Sequence, residues 1–271
     1  MNVYERVQAF YEGYRGEKCI YGTSVLGRNL YAFFVGRRER PTGICQAAIH
    51  GREYITALLN LAQIEHGVSR GGVWFLPLTN PDGALLSEVG LASVNAPWRR
   101  DTLKRINGSD DFRFWKANAD AVDLNVNFDA GWSTGKSNVT YPASENYVGK
   151  RPFSAPESRA LKDFTYQISP DYTVSYHTKG EEIYWRFHEP PLRLWRDRKL
   201  AKVLSQSTGY PLKSAKGSAG GYKDWCVEKL KIPAFTVEAG SDSLAHPLGE
   251  EALAELISHN LSAIDALSKR I

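Results

Sequence analysis

The chain has 271 residues, of which 42% are hydrophobic and 24% are charged. This length and composition allow a sizeable buried core and favour a single domain over residues 1–271. The 34 basic and 30 acidic residues are interspersed and leave a net charge of only +4. Such a balance is typical of a solvated surface and argues against a nucleic-acid partner.

The N-terminal sequence, MNVYERVQAFYEGYRGEKC, has no basic start followed by an apolar run. Nowhere in the chain do about 18 apolar residues follow one another, as a membrane span would need. We therefore expect a soluble, cytoplasmic protein without a membrane partner. Three widely spaced cysteines argue against a disulfide framework.

The first half of the chain predicts strands joined by a helix. Residues 18–38 are typical of two strands around a turn. The continuously apolar runs 43–50 and 72–78 predict buried strands, and residues 55–62 between them repeat apolar side chains at helical spacing. Gly67 is placed to end that helix. A strand, a helix and a second strand in this order predict parallel pairing.

The second half repeats this alternation. Residues 155–168 predict a helix, 171–177 and 233–240 predict strands, and 250–270 predict one long final helix. We therefore expect an α/β fold in which one mixed, twisted sheet is sandwiched between helices.

Two long segments, 79–122 and 129–154, have no clear periodicity and are predicted to be irregular. Loops of this length within a compact domain are often functional.

Three ionisable residues stand at the ends of predicted strands. His50 ends the first apolar run, His177 ends another, and Glu238 lies near the end of a third. Open sheets of this class place their sites beyond the carboxyl ends of the strands. The three side chains are therefore expected at one edge of the sheet, although the sequence does not reveal the strand order that would bring them together.

These residues have the chemistry of a zinc site. A catalytic zinc takes about three protein ligands from histidine and carboxylate and leaves a position for water. His50, Glu53 and His177 could be those ligands for a single Zn²⁺, and Glu238 could take a proton from the water. The pair of His50 and Glu53 is by itself a weak signal, because such pairs are common on surfaces, and a lone strand-end histidine is often structural.

The order of motifs along the chain resembles that of the zinc carboxypeptidases, the carboxypeptidase A-like metallopeptidases. The resemblance extends from about residue 20 to the final helix. It rests on the segments HGREYIT (50–56), NPDG (80–83), PWRR (97–100), VDLNVNF (122–128), PFSAPESRAL (152–161), SYHT (175–178), GGYKDW (220–225) and AFTVEAG (234–240).

This resemblance implies a role for each matching residue. Glu238 would be the catalytic general base, and Arg99 would polarise the scissile carbonyl. Arg52 and Asn125 would contact substrate. The implied metal ligands are His50, Glu53 and His177.

Two departures from the family pattern concern the substrate. Val126 stands where the family usually has an arginine that grips a terminal carboxylate, and valine cannot bind that group. Lys216 stands where a tyrosine often closes over substrate. At the position that tunes the floor of the specificity pocket, Lys223 could bind a carboxylate on the substrate side chain, or it could be an exposed loop lysine.

The segment HTKGEEIYWRF (177–187) is similar to a bacterial branch of the family, the γ-D-glutamyl-L-diamino acid endopeptidases and murein peptide amidases. That branch implies a peptidoglycan stem peptide as substrate. Glu181 or Glu182 could then bind its amine, or both could be solvated.

Three alternatives remain open from the sequence. The protein could remove C-terminal residues from ordinary peptides, or it could be a deacylase of small acylated amino acids at the same metal site. It could also be a binding module that has lost its zinc, although every implied ligand and the glutamate base are present.

Overall fold

A computed structural model of the chain describes residues 1–214 and 217–271. Within this part of the chain, eight strands form one mixed sheet. The strands are β1 (Lys18–Thr23), β2 (Asn29–Gly36), β3 (Thr42–Ala47), β4 (Gly72–Leu76), β5 (Tyr172–His177), β6 (Glu182–Tyr184), β7 (Leu212–Lys213) and β8 (Ala234–Glu238).

Helices cover both faces of this sheet. One apolar layer packs the sheet against the helices α1, α2, α6, α8 and α9, and the other packs it against α5 and α7. The helices are α1 (Val3–Gly13), α2 (Ile55–His66), α3 (Pro81–Val89), α4 (Pro97–Asn107), α5 (Pro156–Ile168), α6 (Pro191–Thr208), α7 (Tyr222–Trp225), α8 (Leu253–Asn260) and α9 (Ala263–Ser268). The predicted α/β class is confirmed. No helix in the described ranges is long and apolar enough to span a membrane.

The sheet order places the carboxyl ends of three parallel strands side by side. The order across the sheet is β1-β2-β4-β3-β5-β8-β6-β7. Strand β5 pairs in parallel with β3 on one side and with β8 on the other, so that Ala47 lies opposite Tyr176 and His177 lies opposite Glu238. The predicted crossover through α2 is also present, because β3 and β4 pair in parallel.

The segment 79–122 is more regular than predicted, because it contains α3 and α4. Helix α3 begins at Pro81, and the Asn80 side chain accepts a hydrogen bond from the Gly83 N–H at 2.9 Å. Helix α4 also starts with a proline, and Gly108, with a φ of +71°, follows its last residue, Asn107. These caps set the helix ends where the apolar pattern alone was too weak to show them. Segment 129–154 is irregular, as predicted.

The predicted final helix over 250–270 is interrupted. Helix α8 ends at Asn260 and α9 starts at Ala263. The Asn260 carbonyl accepts a hydrogen bond from the Gln63 side chain at 2.9 Å. Because this long-range partner occupies a carbonyl that would otherwise serve the helix, the break was not visible in the local sequence pattern.

Candidate active site

A buried cluster of two histidines and one glutamate lies at the carboxyl edge of the sheet. The Glu53 carboxylate places Oε1 2.9 Å from His50 Nδ1 and Oε2 3.0 Å from His177 Nδ1. The two Nδ1 atoms are 3.2 Å apart. The potential ligand atoms of all three residues lie within 4.8 Å of one another. Side chains 127 residues apart in sequence therefore converge on one point.

A tight turn after β3 brings His50 and Glu53 together. Residues Gly51–Glu53 form a single 3₁₀ turn between the strand and α2. A Cβ atom on Gly51 would lie 2.4 Å from the Gly83 carbonyl oxygen and 2.8 Å from that of Trp115. Because neither backbone could yield easily, glycine is required between the two ligands.

Asp123 fixes the orientation of His50. Its Oδ1 lies 3.3 Å from His50 Nε2, and its carboxylate also accepts hydrogen bonds from the Asn125 and Asn146 N–H groups. When Nε2 carries the proton and donates it to Asp123, the Nδ1 lone pair faces the cluster. A carboxylate behind a ligating histidine is the usual second partner of a zinc ligand.

The donor set fits a zinc ion. Although burial opposes ionisation, His50 and His177 hold the pKa of Glu53 well below its usual value. The cluster therefore offers two imidazole nitrogens and one carboxylate, which is a common set for catalytic zinc. The two Nδ1 atoms face the two oxygens of one carboxylate and lie 3.2 Å from each other, so a cation bound among them would satisfy all three groups.

Glu238 stands beside this cluster on the next strand. It is partly buried, and it lines a cavity of about 300 Å³. Burial raises the pKa of Glu238 to about 7, with His177 opposing the rise and Glu53 adding to it. A carboxylate of this kind can both accept and release a proton near neutral pH.

The cavity beside Glu238 contains two of the predicted substrate contacts, Asn125 and Lys223. Lys223 is only 6% exposed, and its Nζ donates to the Asp224 carboxylate and to the Arg186 carbonyl. The alternative of an exposed loop lysine is therefore wrong. The lining residues are Asn125, Tyr184, Ser218, Gly221, Lys223, Asp224, Thr236 and Glu238.

The other predicted substrate residues in the described part of the chain are not among those that line this cavity. Arg52 Nη1 lies 3.8 Å from Glu145 Oε2. Glu182 lies directly across from Glu238 in the sheet and accepts a hydrogen bond from the Tyr184 hydroxyl. Glu181 precedes this strand with a φ of +52°. Lys216 lies outside the described residues.

Arg99 does not join the cluster. In the first turn of α4 its guanidinium pairs with Asp120 at 2.6 Å and donates to the Ala119 carbonyl at 3.0 Å. It lines a separate cavity of about 430 Å³, which includes Trp98 but neither a cluster residue nor Glu238. The predicted polarising role of Arg99 thus stays a prediction, and this geometry gives it no support.

Lys116 is a cation near the cluster that the sequence interpretation missed. It is 15% exposed, and its Nζ lies 3.9 Å from Asp123 Oδ2 and 4.0 Å from Glu145 Oε2. Its charge favours the ionised forms of Asp123 and Glu238. The available signal was a lysine between the apolar Trp115 and Ala117, shortly before the VDLNVNF segment.

Comparison with known proteins identifies the family. The family model described as zinc carboxypeptidase matches residues 15–257. The chain belongs to the zinc carboxypeptidase family. This membership makes zinc the metal expected in the cluster of His50, Glu53 and His177.

Two bacterial proteins of known name align with most of this chain. It is 31% identical over 278 residues to gamma-D-glutamyl-L-diamino acid endopeptidase 1 of Lysinibacillus sphaericus, an alignment that covers 92% of this chain and 66% of that protein. It is 29% identical over 230 residues to murein peptide amidase A of Escherichia coli strain K12, covering 80% of this chain and 79% of that protein. The chain therefore spans just under two thirds of the first relative.

A solved structure shows that the fold is shared. Bovine thrombin-activatable fibrinolysis inhibitor, in complex with tick carboxypeptidase inhibitor, matches with a TM-score of 0.79 and 20% identity. The match covers 100% of this chain and 96% of that chain.

Proposed function

We propose that this protein is a zinc metallopeptidase that hydrolyses the amide bond between γ-D-glutamate and a diamino acid in peptidoglycan stem peptides. The observation that carries the proposal is the cavity beside Glu238, which is lined by the buried Lys223 in a chain that has valine at position 126, where the family usually has an arginine. The names of the two bacterial relatives support this substrate class.

The chain's own residues divide the reaction between them. Zinc held by His50, Glu53 and His177 would supply a Lewis acid and lower the pKa of a water. Glu238 would take the proton of the attacking water and pass it to the leaving amine, because it lines the cavity that would receive the leaving group.

We assign the carbonyl-polarising role to Lys116 rather than to Arg99. Negative charge develops on the carbonyl oxygen as water adds, and a fixed cation beside the cluster stabilises that charge without reorganisation. Lys116 is near Asp123, the partner of His50, whereas the guanidinium of Arg99 is paired with Asp120 in another cavity.

Lys223, which we call the floor of the cavity beside Glu238, favours a diamino acid that has a carboxylate on its side chain. With valine at position 126, Lys223 is the one cation among the described residues that line the cavity. A distal carboxylate of meso-diaminopimelate could share Lys223 with Asp224, and its amine could approach Glu182, which lies opposite Glu238 in the sheet. L-Lysine offers the amine without the carboxylate.

Product analysis tests the proposed substrate. The zinc-loaded protein is offered three peptides: L-alanyl-γ-D-glutamyl-meso-diaminopimelate, an α-linked peptide with a free C-terminus, and the same α-linked peptide with a C-terminal amide. We expect mass spectrometry to show cleavage of the γ-glutamyl bond. Cleavage of the unblocked α-linked peptide alone would instead identify a metallocarboxypeptidase. Hydrolysis of an N-acetyl amino acid offered beside them, without cleavage of any of the three peptides, would identify a deacylase.

A catalytic variant with a matched control tests the mechanism. Glu238→Gln should lower kcat by about 10²-fold or more, because an amide cannot take the proton of water, and it should still bind zinc in a metal analysis. Glu17→Gln, a change at a half-exposed carboxylate that pairs with Arg38, should leave the rate unchanged. Full activity of Glu238→Gln would refute the assigned base.

A charge-neutral pair of substitutions tests the cavity floor. Lys223→Met with Asp224→Asn removes both partners of the buried ion pair and so leaves no buried charge alone. We expect the KM for the diaminopimelate peptide to rise by about tenfold relative to the KM for the L-lysine peptide, because the loss of a hydrogen bond to a charged group costs about this much affinity. Equal changes for both peptides would exclude Lys223 as a carboxylate-binding residue.

A further inference from the structure

Glu145 faces two cations of the site with the same carboxylate oxygen. Its Oε2 lies 3.8 Å from Arg52 Nη1 and 4.0 Å from Lys116 Nζ. The side chain of Glu145 is 47% exposed, whereas those of Arg52 and Lys116 are 22% and 15% exposed. An anion at the surface thus covers two cations that lie deeper.

The backbone holds Glu145 in this position. Before it, the Ser144 carbonyl accepts hydrogen bonds from the N–H groups of Lys116 and Ala117 at 3.0 and 2.9 Å. After it, the Asn146 N–H donates to Asp123 Oδ2 at 3.0 Å. Both neighbours of Glu145 are therefore held in place, one by the backbone at Lys116 and the other by Asp123, the partner of His50.

The two cations are nevertheless incompletely satisfied by Glu145. A charge-assisted hydrogen bond has a length of about 2.7–2.9 Å, and both contacts exceed it by roughly an ångström. The Nε of Arg52 is buried and has no hydrogen-bond partner among the described residues. An anion that approached more closely would therefore satisfy donors that Glu145 does not reach.

We propose that Glu145 is a specificity-determining residue, a resident counter-ion of Arg52 and Lys116 that a substrate carboxylate displaces. The site would thereby select acyl groups that carry a free carboxylate. This inference rests on the proposed function, because a γ-linked glutamate keeps its α-carboxylate free on the acyl side of the bond that is cut.

Competition between the two anions has a measurable consequence. A partly exposed ion pair contributes up to about 1 kcal/mol, or roughly fivefold in affinity. Glu145→Gln removes the competing charge and keeps the size of the side chain. A peptide with the free α-carboxylate should then bind about three- to fivefold more tightly, whereas a peptide with an α-carboxamide should change by less than about twofold.

The experiment measures binding separately from hydrolysis. Two γ-D-glutamyl-diaminopimelate peptides, identical except for an α-carboxylate or an α-carboxamide, are titrated calorimetrically into zinc-loaded Glu238→Gln protein with and without Glu145→Gln. The protein without Glu145→Gln carries Glu17→Gln instead and is the matched control. Glu17 is suitable because it is 43% exposed and pairs with Arg38 away from these residues. Thermal unfolding verifies that every variant is folded.

The outcomes are distinct. Tighter binding of the carboxylate peptide alone supports the counter-ion role. An equal change for both peptides, weaker binding of the carboxylate peptide, or no binding of either peptide overturns it. Failure of the wild-type protein to cleave either peptide would refute the proposed function, while the calorimetric comparison would still decide the role of Glu145.

Discussion

A buried carboxyl group away from the metal cluster makes the stability of the fold depend on pH. Glu157 is fully buried at the start of α5. It accepts hydrogen bonds from the Val25 N–H at 3.0 Å and from Asn118 Nδ2 at 2.8 Å. Burial, together with the nearby Asp82 carboxylate, raises the pKa of Glu157 to about 7. Asp82 itself is compensated by Arg28 at 2.6 Å.

The sign of the effect follows from the raised pKa. In the unfolded chain Glu157 ionises around its ordinary value of 4.5. Ionisation of the folded protein is harder, so the folded state loses stability as the pH rises from about 4.5 to about 7. The loss is absent below that window and complete above it. The difference between the two pKa values corresponds to about 3 kcal/mol.

Glu157→Gln should remove this dependence, because an amide does not ionise. The amide group also offers one acceptor oxygen instead of two, and a lost hydrogen bond costs about 1–3 kcal/mol at every pH. The free energy of unfolding of the variant, measured relative to the wild type, should therefore rise by about 3 kcal/mol between pH 4 and pH 8, whatever its starting value.

Urea denaturation followed by tryptophan fluorescence over this pH range provides the measurement. Both proteins keep the same metal cluster, so the pH dependence of the cluster cancels in the difference. Glu17→Gln removes a charge from the surface. Its free energy of unfolding relative to the wild type should change by less than about 1 kcal/mol over the same pH range. A Glu157→Gln difference that stays flat across the range would refute the reasoning.

Three further predictions concern the metal and the cation beside it. Removal of zinc with a chelator should abolish hydrolysis and zinc addition should restore it, and activity that persists in metal-free protein would contradict the assigned cluster. Asp123→Asn should weaken zinc binding by about 10–100-fold, because His50 loses its charged partner; competition with a chromogenic chelator measures this, and unchanged affinity would contradict it. Lys116→Met should lower kcat by about 10²-fold or more with a smaller effect on KM, while Lys116→Arg should retain most of the rate. Steady-state kinetics measures both constants. A raised KM with little change in kcat would instead show that Lys116 serves only ground-state binding.

Two of the candidate metal ligands and the proposed base could be found in the sequence because each stands at the end of an apolar run, and Glu53 was found only through its spacing from His50. Buried strands produce continuous apolar segments, and functional groups follow them at the carboxyl ends. His50, His177 and Glu238 all have that signature. Their convergence still required the order β3-β5-β8, which depends on how distant strands pair.

Residues outside the strands were harder to place. Lys116 and Arg99 both lie in the segment 79–122, and the local pattern did not show which cation faces the cluster. Only long-range contacts distinguish the two cations. Arg99 Nη1 lies 2.6 Å from Asp120 Oδ1, whereas Lys116 Nζ lies 3.9 Å from Oδ2 of Asp123, the partner of His50. Likewise, only packing revealed that Lys223 is buried against Asp224.

The α/β class could be determined from the sequence by itself, because apolar periodicity is a local property of the chain. The sequence also predicted His50, Glu53 and His177 as zinc ligands and Glu238 as the base, and these roles stay predictions. The tertiary structure decided which charges surround the ligands and which residues line the cavity beside Glu238. Those features depend on side chains that are far apart in sequence, and the energy of a charge depends on its burial and its neighbours. Neither quantity is encoded in a short stretch of residues.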